Sequence, residues 1–174
     1  EWLNTCRFVY NAALTERVEA YKVKKISISK FHQYNELPEI KKELTFVKNV
    51  HSDVLQQTLD RVDLSYQSFF RGNGFPKFKK KKFYTSFTFK RGVKIADNYI
   101  TLPKIGKVKF HNSKNIENVK TASIIKENNK WFISVTYEIQ EKPLAIDITK
   151  SVGIDAGIVY HSILSDETYI NSSK

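Results

Sequence analysis

One carboxylate, Asp155, stands in Val152-Gly153-Ile154-Asp155-Ala156-Gly157, a short apolar run that ends in a glycine turn. The following run, Val159 to Leu164, reads as a second strand, and Ser165-Asp166-Glu167 turns it into Thr168-Tyr169-Ile170. An aspartate facing inward from a rigid strand supplies the hard anionic oxygen that Mg²⁺ takes as a ligand. With a second ion about 4 Å away, such a site cleaves phosphodiesters. The same residues also permit a plain structural role, because Asp-x-Gly favours strand-to-strand turns. A third reading is a loop that cradles nucleotide phosphates, but Ile158-Val159-Tyr160 offers none of the Gly, Ser or Thr such a cradle uses.

The second chemical feature is charge. The chain of 174 residues carries 29 Lys and Arg against 18 Asp and Glu, a formal net charge of +11. Residues 1–70 hold ten cationic side chains against nine anionic, residues 71–114 thirteen against one (Asp97), and residues 115–174 six against eight. The excess therefore sits in the middle third, the footprint expected of a protein that meets a polyanion. Arg71, Lys77, Lys79, Lys80, Lys81, Lys82, Lys90, Arg91, Lys104, Lys107 and Lys109 are the candidate phosphate contacts. Phe75, Phe78, Phe83 and Tyr84 are interleaved with them, so that lysines can neutralise phosphates while aromatic faces stack on unpaired bases.

The elements that must position these residues change character along the chain. Trp2, Cys6, Val9, Ala13, Leu14, Val18 and Tyr21 recur at helical spacing, with Arg7, Asn11, Arg17 and Lys22 off that stripe. A break at Lys24–Ser29 precedes a short helix through Phe31 and Tyr34, and Pro38 is expected as the first residue of another, Pro38–Leu44. Ser52 reads as an N-cap with Asp53 in the first turn. Leu55, Leu59, Val62, Tyr66 and Phe69 form the strongest helical stripe; Gln56, Gln57, Arg61 and Gln67 lie off it, solvated or facing a nucleic acid. Arg71-Gly72-Asn73-Gly74 ends that helix.

From Thr85 the period becomes two. Hairpins are expected around Ala96-Asp97-Asn98 and around Glu127-Asn128-Asn129-Lys130, with Lys107 and Lys109 on one face of a further strand and Trp131, Ile133, Val135, Tyr137 and Ile139 on one face of a long one. Short antiparallel strands of this kind suggest a small barrel. Gln140–Lys150, with Pro143, reads as a linker.

Composition bounds the rest. A hydrophobic content of 41%, with 12 Phe and 9 Tyr, suffices for a packed core. Cys6 is the single cysteine, which excludes an internal disulfide and a Cys-x-x-Cys metal site. No apolar run reaches membrane-spanning length, so no membrane partner and an intracellular, cytoplasmic setting are expected. The absence of Met, an opening inside a helical pattern and a stop just after a strand suggest a fragment of a longer protein.

The order of parts resembles the TnpB (OrfB) family of transposon-encoded proteins, relatives of the type V CRISPR effector nucleases. The likeness is carried by Cys6-Arg7-Phe8-Val9-Tyr10-Asn11-Ala12-Ala13-Leu14, Leu37-Pro38-Glu39-Ile40-Lys41, Leu55-Gln56-Gln57 with Phe69-Phe70, and Gly74-Phe75-Pro76-Lys77-Phe78-Lys79. It continues through Ser86-Phe87-Thr88-Phe89, Leu102-Pro103-Lys104-Ile105-Gly106 and Lys130-Trp131-Phe132-Ile133-Ser134-Val135 to the Asp155 stretch. Ala156 stands where the family often has Leu, and Glu167 where Gly is frequent.

The resemblance implies an α+β architecture. A helical recognition-lobe segment (1–74) would precede a basic, oligonucleotide-binding-like antiparallel β-barrel or wedge (75–143) and the first strands of an RNase H-like (RuvC) domain (144–174). It further implies an RNA-guided DNA endonuclease, often labelled a transposase, whose partners are a guide RNA and a target DNA. Asp155 would be its first catalytic, Mg²⁺-ligating carboxylate. The first barrel strand would precede Glu1, and the other acidic motifs and a zinc ribbon would follow Lys174, so this stretch alone is expected to bind nucleic acid and cut nothing. The rival readings are a non-catalytic nucleic-acid-binding module or decayed remnant and, against the lysine-rich centre, an actin-like ATPase.

Overall fold

A computed structural model describes residues 1–112, 116, 118–139 and 151–171. They pack as two compact units, Glu1–Ile139 and Gln140–Lys174. The linker expected at Gln140–Lys150 lies outside the described residues.

In the first unit, helix α1 (Trp2–Lys24) buries Cys6, Val9, Tyr10, Ala13 and Leu14, as three- and four-residue spacing requires of an amphipathic helix. Lys25, left-handed at φ 56°, ends it, with Lys22 and Lys24 in the last turn beside the free carbonyls. Helix α2 (Lys30–Glu43) starts where Ser29 Oγ accepts from the His32 N–H, and it runs through Pro38 without a break. The two-helix expectation is thus corrected: Pro38 forgoes one hydrogen bond to the Tyr34 carbonyl. The helix continues because Leu37, just before the proline, is buried and Ile40, two residues beyond it, packs against the core.

A short α3 (Thr45–Lys48) leads to α4 (Ser52–Phe70), capped by His51 rather than Ser52. Leu55, Leu59 and Val62 are buried along it. Its end follows the glycine-turn pattern: Gly72 takes φ +95°, a region open to glycine, and the Gly72 and Asn73 N–H groups donate back to Phe69 and Ser68.

After a 3-10 turn (Lys81–Phe83), β1 (Ser86–Phe89) pairs antiparallel with β5 (Val119–Glu127), and β5 with β6 (Lys130–Tyr137). A second antiparallel sheet orders β2 (Lys94–Ala96), β3 (Tyr99–Leu102) and β4 (Gly106–Lys109). Both expected hairpins form. Asn128 and Asn129 turn the second at φ 45° and 61°, the pair of positive angles a two-residue hairpin demands.

The chain is a mixed α and β structure, but the expected barrel does not close: among the described residues the two three-stranded sheets share no ladder. Strands of three or four residues in the second sheet are too short to wrap onto the first. What joins them is the helices. Phe87, Phe89, Ala122 and Ile124 from one sheet and Ile100 and Leu102 from the other enter one apolar core with α1 and α4.

The second unit is a three-stranded antiparallel meander of β7 (Ile154–Ala156), β8 (Ser162–Leu164) and β9 (Tyr169–Ile170). Among the described residues no helix is long and apolar enough to cross a membrane.

Candidate nucleic-acid interface

The lysine run owes its order to α1. Asn11 Nδ2 donates to the Lys79 carbonyl at 3.1 Å, and the Lys79 N–H donates back to Asn11 Oδ1 at 2.8 Å. This reciprocal pair works as one rung of a sheet ladder would, pinning a segment that has no strand of its own. Pro76 is buried beside it, and Lys79 Nζ lies 5.7 Å from the centre of the Tyr10 ring. Lys77, Lys80, Lys81 and Lys82 are left exposed on this tethered backbone.

Two of them meet a partner that the sequence pattern did not single out. Lys81 and Lys82 line a cleft of about 580 Å³ with Lys126, Asn128, Asn129 and Trp131. The tight Asn128-Asn129 turn sets Lys126 opposite Trp131 in the β5–β6 register, with the ammonium 5.8 Å from the ring centre. Trp131 is 57% exposed. In the alternating pattern it counted as one more apolar residue of a strand face. The usable signal was its place beside a two-residue turn, where the opposing strand leaves its ring uncovered. The cleft thus joins a large open aromatic face to three ammonium groups, the pairing that single-stranded nucleic acid uses.

The remaining candidates are spread over other surfaces. Arg71 is the exposed cap of α4. Lys90 and Arg91 begin a loop held by Asp53, which is 5% exposed and accepts both backbone N–H groups at its Oδ2, 2.6 and 3.0 Å away. Lys107 and Lys109 project from the exposed face of β4, Lys107 Nζ lying 4.3 Å from the Tyr99 ring centre. Lys104 donates to the Lys48 carbonyl at 2.6 Å. It stands close enough to Lys41 that, after burial, its charge is the second cause pushing the Lys41 ammonium below its usual range.

Of the α4 side chains expected to be solvated or facing a nucleic acid, Gln57, Arg61 and Gln67 are turned inward or onto their neighbours. Arg61 donates to the Ser86 carbonyl at 2.7 Å and to Thr88 Oγ1 at 3.0 Å, stitching α4 to β1. Gln57 and Gln67 donate to Asp60 and Asp63. Arg17, read as off the stripe, is in fact buried between α2 and α4, with Nε on Gln33 and Nη1 on Asp63.

Asp155 lies in β7 opposite Ile163 of β8, and its side chain is exposed rather than turned into the meander. Among the described residues, the His, Cys, Asp and Glu side chains close enough to share an ion are Glu16, His32 and Glu36, a group that does not include Asp155.

Residues 1–25 match the helix-turn-helix domain model of the OrfB and IS605 proteins; here they form α1 and its left-handed cap. Over 169 residues the chain is 32% identical to "Putative RNA-guided DNA endonuclease InsQ" of Escherichia coli (strain K12). That alignment covers 94% of this chain and 42% of the relative, so the chain spans about two-fifths of that protein's length. The likeness covers nearly all of the chain, and the chain belongs to the TnpB (OrfB, IS605) family.

Proposed function

We propose that this chain is the part of an RNA-guided DNA endonuclease that grips guide RNA and target DNA, and that Asp155 contributes one carboxylate to its catalytic centre. The observation that carries the binding half is the cleft in which Lys81, Lys82 and Lys126 flank the open Trp131 ring. Lysine ammonium groups meet phosphates of any sequence, so the grip is on backbone and on unpaired bases rather than on a particular base order. The tethering of Lys79 by Asn11 lowers the cost of ordering that segment on binding.

For the catalytic half, Asp155 offers an exposed hard oxygen on a hydrogen-bonded strand, which suits Mg²⁺ as one ligand of several. When held, the metal would supply charge that stabilises the oxygens of a phosphodiester under attack. Completing that ligand set falls to carboxylates other than those described near Asp155.

The binding half is tested by titrating a single-stranded RNA against salt. With about five phosphate contacts, affinity should fall roughly a hundredfold between 50 and 200 mM salt. Trp131→Ala should cost about tenfold on single strands through lost stacking. A flat salt response would show that the lysines are only a solvated surface. For the catalytic half, Asp155→Ala in the full-length parent should abolish DNA cleavage and leave RNA affinity unchanged; retained cutting would overturn that assignment.

A further inference from the structure

A second cleft, of about 600 Å³, opens at the far end of α1 and α4 and takes no part in the lysine run. Its walls are aromatic. Phe69 and Phe75 meet edge-to-face at 5.2 Å between ring centres, Tyr66 and Phe75 do the same at 5.8 Å, and Phe70 leans on Phe69 at 5.3 Å. Two of these rings are open to solvent, Phe70 at 78% and Phe75 at 50% exposure. Large apolar faces left uncovered around a concavity of this size mark a binding site more often than a packing fault.

The charge around the rings says which kind of ligand. Arg17, only 7% exposed, lines the cleft with its guanidinium 5.5 Å from the centre of the Tyr66 ring. Its Nε and Nη1 are used by Gln33 and Asp63, but its buried Nη2 finds no acceptor. Lys22 lines the rim, and Lys25 lies 5.2 Å from the ring of Tyr21, which also lines it. Asp63 is the one carboxylate in the lining, and its oxygens are already taken by Arg17 and Gln67. A neutral apolar peptide would gain nothing from a cationic rim and a spare cationic donor. An aromatic, acceptor-rich ring on a phosphate chain would use all three.

We propose that the Phe69–Phe70–Phe75 cleft receives a single unpaired base of a nucleic acid strand, with Lys22 and Lys25 meeting the adjoining phosphates. The proposal rests on the reading that the chain binds nucleic acid and names a second place where it does so. Stacking on sequence-tolerant aromatic faces is the dominant interaction, so the cleft selects for an unpaired base over a paired one and only weakly among the four bases.

The test uses the whole chain and an RNA hairpin carrying 2-aminopurine, a fluorescent base quenched on stacking, at one unpaired position. Binding should quench the signal several-fold. The double variant Phe70→Ala/Phe75→Ala should abolish the quench even at saturating protein and weaken affinity for this hairpin about tenfold, whereas Trp131→Ala should raise the concentration needed for binding without lowering the quench reached at saturation. A fully paired duplex should bind the parent and the double variant alike. Both phenylalanines are solvent-facing, and an unchanged melting temperature in the variant would show that the fold survives. If the hairpin binds with normal salt dependence but the quench is indifferent to Phe70 and Phe75, or is equal in the duplex, the cleft is not a base site and the proposal fails alone. No binding of any nucleic acid would overturn both this proposal and the broader reading. Occupation by an apolar peptide that does not compete with the hairpin would also count against it.

Discussion

Glu1–Ile139 and Gln140–Lys174 present their candidate residues in opposite settings. In the first unit a cationic surface is laid over a core to which four helices and two sheets contribute, and the segments between elements are tied down by side chains such as Asn11 and the buried Asp53. In the second, strands of three, three and two residues leave Val152, Ile154, Ile158, Val159 and Tyr169 exposed around Asp155. Binding through phosphates tolerates small errors of position, because Coulomb attraction falls off slowly with distance. A metal ligand does not, since it must be held to within about half an ångström. On the proposed function, the more exacting chemistry would fall to the less buried unit.

The largest expected difference is in local stability. Amide hydrogen exchange on the intact chain should show Leu55 to Leu59 of α4 opening only with global unfolding, while β7 and β8 exchange at least about a thousandfold faster. Equal protection would break the contrast outright. Next in size is the core shared by helices and sheets. Phe89, fully buried against Trp2 and Phe87, should cost about 3–5 kcal/mol as Phe89→Ala, with helical and sheet signals lost in one transition. Two separate transitions would mean that the helices and sheets do not depend on one core. Ile154→Ala, at an exposed position of β7, should stay within about 0.5 kcal/mol.

A smaller effect tests the loop ties. Asp53→Ala removes the acceptor of the Lys90 and Arg91 N–H groups and should cost about 2 kcal/mol, read as a shift in denaturation midpoint. Asp53→Asn keeps an acceptor oxygen and should recover part of that loss. Equal melting of parent and Asp53→Ala would show that water replaces the carboxylate and that the Lys90 loop is not anchored.

Legibility in the sequence follows the same divide between periodic pattern and tertiary pairing. The helices, both hairpins and the buried stripes were readable because period and turn residues are local properties: Leu55-Leu59-Val62 and Asn128-Asn129 announce themselves within a few positions. Pro38 misled because local chemistry favours a helix start there, whereas packing of Leu37 and Ile40 carries the helix across it. Barrel closure was unreadable, since nothing local says whether the edges of two short sheets will meet. Of the candidate interface, charge density pointed to the Lys77–Lys82 run. Its pairing with Trp131 depends on a contact between segments about fifty residues apart. The inward turn of Arg17 and Arg61 was hidden for the same reason: a cation off the apolar stripe reads as solvated until its carboxylate or carbonyl partner is seen.

The smallest effect lies at the start of α4. Burial pushes the His51 imidazole below its ordinary value of 6.5; Asp53 opposes this, and the charges of Lys104 and Lys41 reinforce it. Since the folded state holds the proton less tightly than the unfolded chain, the contribution of His51 is fully present above about pH 6.5 and is lost as pH falls below it. Melting temperature should therefore decline from pH 7 to pH 5, and His51→Asn should flatten part of that slope. Bound polyanion should act in the opposite sense, because phosphates near Lys41 and Lys104 offset the repulsion that disfavours the imidazolium. If added RNA leaves the pH slope unchanged at low salt, the Lys41–Lys104 face lies outside the footprint.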